Sequence, residues 1–229
     1  MTSSHQNHTP AAEEHFDLII IGTGSGNSIP SPEFDDQKIA IIEKGTFGGT
    51  CLNVGCIPTK MYVYAADIAV AAREAGRLGL DAQVNSVDWD SIVDRVFTNR
   101  IDQIARGGEQ YRRGEETPNI TVFDEHARFI GPKTIQTGEH VITGEQIVIA
   151  AGSRPVIPEV YAKSGVKYYT NEDIMRMDHQ PQSLIVVGGG YIAMEFAHVF
   201  DGLGTEVTVV NRSETLLRHL DDDLSSRFN

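Results

Sequence analysis

Twice in this chain a short, continuously apolar run ends in a glycine-rich turn. Asp17-Leu18-Ile19-Ile20-Ile21 enters Gly22-Thr23-Gly24-Ser25-Gly26-Asn27, and Leu184-Ile185-Val186-Val187 enters Gly188-Gly189-Gly190-Tyr191-Ile192-Ala193. A brief run that is apolar at every position and closed by glycine reads as a strand buried on both faces, the kind that fills parallel sheets. A second strand follows each copy. Ile39-Ala40-Ile41-Ile42 ends in Glu43, and Val207-Thr208-Val209-Val210 ends in Asn211-Arg212. Repeated strand–turn–helix–strand order predicts an α/β protein of two Rossmann-like, three-layer units built to hold dinucleotides.

Between the two copies the pattern changes. Met61 to about Arg77 is alanine-rich with helical spacing, and Trp89, Ile92, Val93, Val96, Ile101 and Ile104 mark one face of a second long helix. From Asn119 to Ile149, short strands broken by Gly131-Pro132, Thr137-Gly138 and Thr143-Gly144 read as an antiparallel meander within the first unit. The expected division is a disordered polar tail over 1–15, holding His5, His8 and His15, a first nucleotide domain over 16–155 and a second over 156–229. A doubly wound half needs a third strand, so the second unit is expected to be incomplete.

Composition removes whole classes of function. The 229 residues carry a net charge of -13, which disfavours nucleic acid and anionic membranes as partners. No apolar run approaches the ~18 residues of a membrane span. The first fifteen residues lack a basic start and an apolar core, so no signal peptide is read and a cytoplasmic location is expected.

The glycine turns define two candidate sites. Glycines let a pyrophosphate approach the backbone, the following helix start supplies amides, and an acid ending the next strand bonds a ribose, a role open to Glu43. In the first copy Asn27 takes the third glycine position, and Pro30 and Pro32 should stop the helix near Ile29. Ser31 to Gln37 reads as an acidic loop. The second copy, with Gly188, Gly190 and Ala193, is followed by Asn211-Arg212 and then Arg218 rather than by an acid. Arginines there favour the 2′-phosphate of NADPH over the free hydroxyl of NAD.

The two cysteines of the chain, Cys51 and Cys56, lie in Gly48-Gly49-Thr50-Cys51-Leu52-Asn53-Val54-Gly55-Cys56-Ile57-Pro58-Thr59-Lys60. A disulfide across so small a loop stabilises a fold by only about 2 kcal/mol, so the pair suits opening and closing better than holding. A metal site needs more ligands than two, and no nearby His or Cys completes one; no metal is expected.

With this cysteine motif set between two dinucleotide folds, the chain resembles the flavin-dependent pyridine nucleotide–disulfide oxidoreductases from Phe16 to Asn229, a family that includes glutathione, mercuric and mycothione reductases and dihydrolipoamide dehydrogenase. Gly22-Thr23-Gly24-Ser25-Gly26-Asn27-Ser28 with Glu43-Lys44-Gly45-Thr46-Phe47-Gly48-Gly49-Thr50-Cys51 is most similar to its mycothione reductase branch. The resemblance implies FAD on the first unit, with Gly22, Gly24, Ser25 and Gly26 at the pyrophosphate and Glu43 and Lys44 at the adenosine end. Thr50 and Lys60 would lie along the flavin, Ala127 at the adenine, and Ala151, Gly152 and Ser153 near the ring. NADPH would occupy Gly188, Gly189, Gly190, Tyr191, Ile192, Ala193, Met194 and Glu195, with Asn211, Arg212 and Arg218 at its phosphate. Tyr191 resembles the ring that gates the nicotinamide, and Glu195 the acid that pairs with Lys60.

The implied chemistry carries hydride from NADPH through FAD to a Cys51–Cys56 disulfide and on to a small-molecule disulfide. Cys56 would face the flavin, and Cys51 would attack the substrate as a thiolate, a form that a helix start and a nearby cation favour. In the family the acid–base histidine and the dimer contacts belong to later domains. The chain is therefore expected to be a C-terminally truncated form lacking the usual homodimer interface, with impaired turnover. The alternatives are a nucleotide-binding fragment without catalysis, or dihydrolipoamide dehydrogenase chemistry with NAD.

Overall fold

The computed structural model describes residues 14–228. Most of the expected disordered tail thus lies outside the described residues. Along the chain run β1 (Glu14–Ile21), β2 (Ile39–Ile42), α1 (Gly49–Asn53), α2 (Cys56–Glu74), α3 (Trp89–Val96), α4 (Asp102–Arg113), β3 (Ile120–Phe123), β4 (Ala127–Gly131), β5 (Thr134–Thr137), β6 (His140–Ile149), α5 (Glu159–Ala162), β7 (Ser183–Val187), α6 (Tyr191–Gly202), β8 (Glu206–Val210) and α7 (Asp222–Phe228). β1 starts two residues ahead of Phe16, because Glu14 and His15 already pair with Ile142 and Thr143 of β6.

Two compact units emerge. One comprises the described residues up to Asn53 with Gln103–Arg154, and the other Val54–Asp102 with the described residues from Pro155 onward. The helical segment Val54–Asp102 therefore groups with the second glycine turn, whereas its place in sequence assigned it to 16–155.

The first unit is a six-stranded sheet in the order β3-β2-β1-β6-β5-β4. β1 runs parallel to β2 and β6, pairing Ile19 with Ala40 and with Ile147, and β2 runs parallel to β3, pairing Ile41 with Val122. Period-two alternation sends Ala40 and Ile42 to one face, among Phe16, Ile19, Phe123, Ile135 and Ile142. Ile39 and Ile41 go to the other face, with Leu18, Ile20, Phe47 and Ile120. Each leucine, isoleucine or phenylalanine among them, buried fully, contributes about 1.5–3 kcal/mol.

Two expectations for this region are corrected. The antiparallel part is β4-β5-β6 only, because β3 extends the parallel sheet beside β2. Thr143-Gly144 does not break a strand: β6 passes through it, pairing with β5 over His140–Thr143 and with β1 over Ile142–Ile149. Glycine is needed at 144 for packing, since a Cβ there would meet Ile19 Cγ1 and Cδ1 at 2.8 Å.

In the second unit α2 packs against α6, with Gly202 set so near Ala66 that a Cβ on it would lie 2.8 Å from Ala66 Cβ. Its core is aromatic: Trp89 stacks on Phe200 with centroids 5.5 Å apart, and Tyr62 lies between Trp89 and Phe97. The polar tips are satisfied, Trp89 Nε1 donating to Met177 O at 2.8 Å and Tyr62 Oη to Met175 O at 2.6 Å. The expected second long helix is interrupted by a π-helical turn, Phe97–Ile101. The extra residue per turn rotates the apolar face, so Ile101 and Ala105 are buried and Ile104 is exposed, against expectation. β7 and β8 form a two-stranded parallel sheet in which Ile185, Val187 and Val210 are exposed. The burial expected for β7 is therefore not met: Leu184 and Val186 are half-buried, while Ser183, Ile185 and Val187, on the opposite face, are exposed. No described helix is long and apolar enough to cross a membrane.

Candidate functional site

In the first unit β2 and β6 flank β1, and the loops that leave their C-terminal ends converge. That is the switch point where open parallel sheets bind ligands. Gly22, at φ +103°, follows β1; its amide donates to Ile42 O at 2.8 Å, and its missing side chain admits Ala150 and Ala151 after β6. Glu43 ends β2 and accepts from Thr23 N at 3.0 Å, Thr23 Oγ1 at 2.7 Å and Gly45 N at 2.9 Å. Thr23 Oγ1 also accepts from Gly48 N at 3.0 Å. Buried Thr23 thus ties the glycine turn, the β2 acid and the cysteine segment together, a part that motif reading passed over. Its position between Gly22 and Gly24 was the available signal.

The turn itself departs from a long Rossmann helix, as Pro30 and Pro32 required. It is a single 3₁₀ turn, Ser25–Ser28. Gly26 is the point of close packing, where a Cβ would meet Ala150 Cβ at 2.6 Å and Ile20 Cγ2 at 2.9 Å. Asn27 faces Arg112 of α4 instead. Ser25, Lys44, Ala151, Gly152 and Ser153 are exposed around this end of the sheet, and Ala127 starts β4 four residues beyond Phe123, where β3 leaves the same end. A glycine turn with open amides and an acid beside it fits a dinucleotide.

Gly49, at φ +68°, starts α1, and a Cβ on it would strike the backbone of Gly24. This glycine–glycine approach seats Thr50 and Cys51, both exposed on α1, against the first turn. Asn53 closes α1: its Nδ2 donates to Phe47 O at 2.9 Å and Gly49 O at 3.0 Å.

Cys56 and Lys60 belong to the second unit. α2 begins at Cys56 itself, five residues ahead of the expected Met61, so the thiol sits at the helix start and Lys60 one turn on. The Lys60 ammonium pairs with the Glu195 carboxylate of α6, and two turns further along α2, one turn along α6, Asp67 Oδ1 meets His198 Nε2 at 2.7 Å. α6 starts at Tyr191, directly after the second glycine turn. The helix bearing a cysteine and a lysine is thereby bridged to the helix that opens from the second glycine turn.

That site is a cavity of about 450 Å³ lined by Gly188, Gly189, Gly190, Tyr191, Asn211, Arg212 and Arg218 among others. Cβ atoms on Gly188 or Gly190 would meet nothing within 4 Å, leaving room above the turn for a pyrophosphate. At Gly189 a Cβ would lie 2.8 Å from Asn211, whose Nδ2 holds Ser213 O at 2.8 Å and Thr215 O at 3.1 Å. Leu217 N donates to Gly189 O at 2.7 Å, which folds the arginine-bearing loop back over the turn. Asn211 is thus a loop-former, while Arg212 is exposed and Arg218 Nη1 reaches Ser213 Oγ at 3.3 Å. Tyr191 is 70% exposed at the cavity rim, with Ile192 exposed beside it and Ala193 and Met194 half-buried.

Residues 16–229 match the pyridine nucleotide-disulphide oxidoreductase family. The chain belongs to that family. It is 52% identical over 223 residues to mycothione reductase of Mycobacterium tuberculosis, a match covering 94% of this chain and 48% of that protein. It is 34% identical over 211 residues to glutathione reductase of Burkholderia cepacia, across 91% of this chain and 46% of that one. Among solved structures it is similar to the HOCl-induced flavoprotein disulfide reductase RclA of Escherichia coli, at a TM-score of 0.75 and 27% identity, covering 92% of this chain and 45% of that chain. The chain thus spans about half the length of the relatives it matches.

Proposed function

We propose that this chain forms the nucleotide- and thiol-bearing portion of an FAD- and NADPH-dependent disulfide reductase of the mycothione reductase type, acting in the cytoplasm on a low-molecular-weight disulfide. The observation that carries the reading is the second unit's architecture. One helix bears Cys56 and Lys60, and the Lys60–Glu195 pair bridges it to a helix that opens from a glycine turn facing arginines. Arg212 and Arg218 beside a non-acidic Asn211 favour a 2′-phosphate, hence NADPH over NAD and reduction over dihydrolipoamide chemistry.

Bound FAD would supply the two-electron relay between NADPH and the thiols. Around it Gly22, Gly24, Ser25 and Gly26 would receive the pyrophosphate, Glu43 and Lys44 the adenosine end and Ala127 the adenine. Thr50, Lys60, Ala151, Gly152 and Ser153 would flank the ring. NADPH would lie on Gly188 to Glu195, with Tyr191 at the nicotinamide. Lys60 keeps a positive charge in place, and Glu195 holds it. With both cysteines reduced, the Cys51 thiolate attacks one sulfur of the substrate disulfide, whose S–S bond breaks and whose other sulfur leaves as a thiolate. The Cys56 thiolate then attacks the Cys51 sulfur, expels the second product thiolate and closes a Cys51–Cys56 disulfide, both products taking their protons from water. Two electrons from one NADPH return the pair to the dithiol state.

The test is an anaerobic titration of the FAD-loaded protein with NADPH, read by thiol count and by absorbance. One NADPH should create two titratable thiols and the long-wavelength absorption of a thiolate beside an oxidised flavin; Cys56→Ser should lack both. An NADPH-treated protein that gains no thiols would refute the reading.

A further inference from the structure

Arg112 of α4 carries a charge that nothing in the functional scheme yet uses. Its residue is only 8% exposed. Nε donates to Asn27 Oδ1 at 2.9 Å, and Nη2 donates to Asn27 O at 2.7 Å and Pro30 O at 3.4 Å. All three acceptors are neutral. Among the described residues no carboxylate pairs with it, whereas the adjacent Arg113 is paired to both Glu109 and Asp124. A guanidinium held this deep by neutral acceptors brings an uncompensated positive charge to wherever it is placed. Its place is the glycine turn after β1.

That turn has lost what normally steadies and charges it. A long helix would fix the backbone beyond the glycines and present the positive end of its dipole to a pyrophosphate. Here the helix is one 3₁₀ turn, Ser25–Ser28, ended by Pro30 and Pro32. Asn27 N bonds back to Gly24 O at 3.1 Å, so Asn27 closes the turn that Gly24 opens. Three residues of 3₁₀ geometry span about 6 Å and the Asn27 Oδ1 hydrogen bond adds 2.9 Å, so the guanidinium lies within about one Debye length of Gly24.

We propose that Arg112 is a positioning residue of the first dinucleotide site. Its planar fork replaces the missing helix by clamping the turn at Asn27 and Pro30, and its charge replaces the missing dipole in favouring an anionic pyrophosphate. Asn27, which occupies the third glycine position, is then the acceptor that the clamp requires. The proposal rests on the reading of this turn as the FAD site.

The experiment measures FAD binding to flavin-stripped full chain by flavin fluorescence, at several salt concentrations, for wild type, Arg112→Met and Arg112→Lys. Circular dichroism establishes that each is folded at the assay temperature. Arg112→Met loses fork and charge, so Kd should rise about tenfold or more and its dependence on salt should flatten. Arg112→Lys keeps the charge, so its salt dependence should match wild type while Kd rises severalfold. A role in stability alone would leave the salt dependence unmoved. Folded Arg112→Met with wild-type Kd and salt dependence would overturn the proposal. If Arg112→Met does not fold, wild-type Kd in Arg112→Lys would overturn the clamp. A wild-type chain that binds no FAD would instead bring down the FAD reading itself, and this proposal with it.

Discussion

Gly49 and Gly152 share one positive φ, at +68° and +67°, but not one environment. A Cβ on Gly152 would meet nothing within 4 Å, while one on Gly49 would strike Gly24, whose amide nitrogen would be 3.0 Å away. Gly24 has little room to retreat. Its carbonyl accepts from Asn27 N at 3.1 Å, and the preceding Thr23 is held by Glu43 and Gly48. Gly152→Ala should therefore cost only the left-handed strain of an L-residue, about 1–2 kcal/mol. Gly49→Ala should add an overpacking cost of about 1–3 kcal/mol, because the obstacle is backbone and not a flexible side chain. The difference between the two variants isolates the contact between the cysteine helix and the glycine turn. Urea unfolding of the flavin-free protein measures it, with a shifted midpoint at unchanged slope. Equal losses, within about 0.5 kcal/mol, would refute the claim that Gly24 and Gly49 are packed backbone to backbone.

Arg212→Glu should weaken NADPH binding at least tenfold and NADH binding much less, since only one ligand carries the phosphate that the guanidinium would meet; equal losses in a titration would make Arg212 a bystander. Tyr62→Phe should cost about 1–3 kcal/mol at pH 7 by leaving the buried Met175 carbonyl without its donor. Burial pushes the Tyr62 phenol well above its ordinary value, against the opposing pull of Arg176 and Arg95. Its contribution is therefore complete below the unfolded-state pKa of about 10 and is lost as pH rises beyond it. Stability curves of wild type and Tyr62→Phe should converge above pH 10, and parallel curves would count against the buried phenol.

Much of this protein was legible in particular residues. The unbroken Ile19-Ile20-Ile21 and Ile39 to Ile42 runs announced strands covered on both faces, and both are interior strands of the sheet with a core cluster on each side. Pro30 and Pro32 announced the short turn. What escaped the reading depended on partners far away in sequence. Gly144 looked like a strand breaker because its reason, the Ile19 side chain, lies on another strand. Ile104 looked like a core residue because nothing local signalled the π turn at Phe97–Ile101. Arg112 carried no motif, and Thr23 lay inside one without showing its role, since each acts through contacts made only on folding.

Local chemistry was enough to determine the two glycine turns, the cysteine pair and the arginines after β8, because glycine freedom, thiol spacing and side-chain charge are properties of neighbouring residues. The tertiary structure alone decided which elements share a unit. It set Lys60 against Glu195 and buried a guanidinium behind the first turn, because ion pairing and burial depend on distances that sequence separation does not encode.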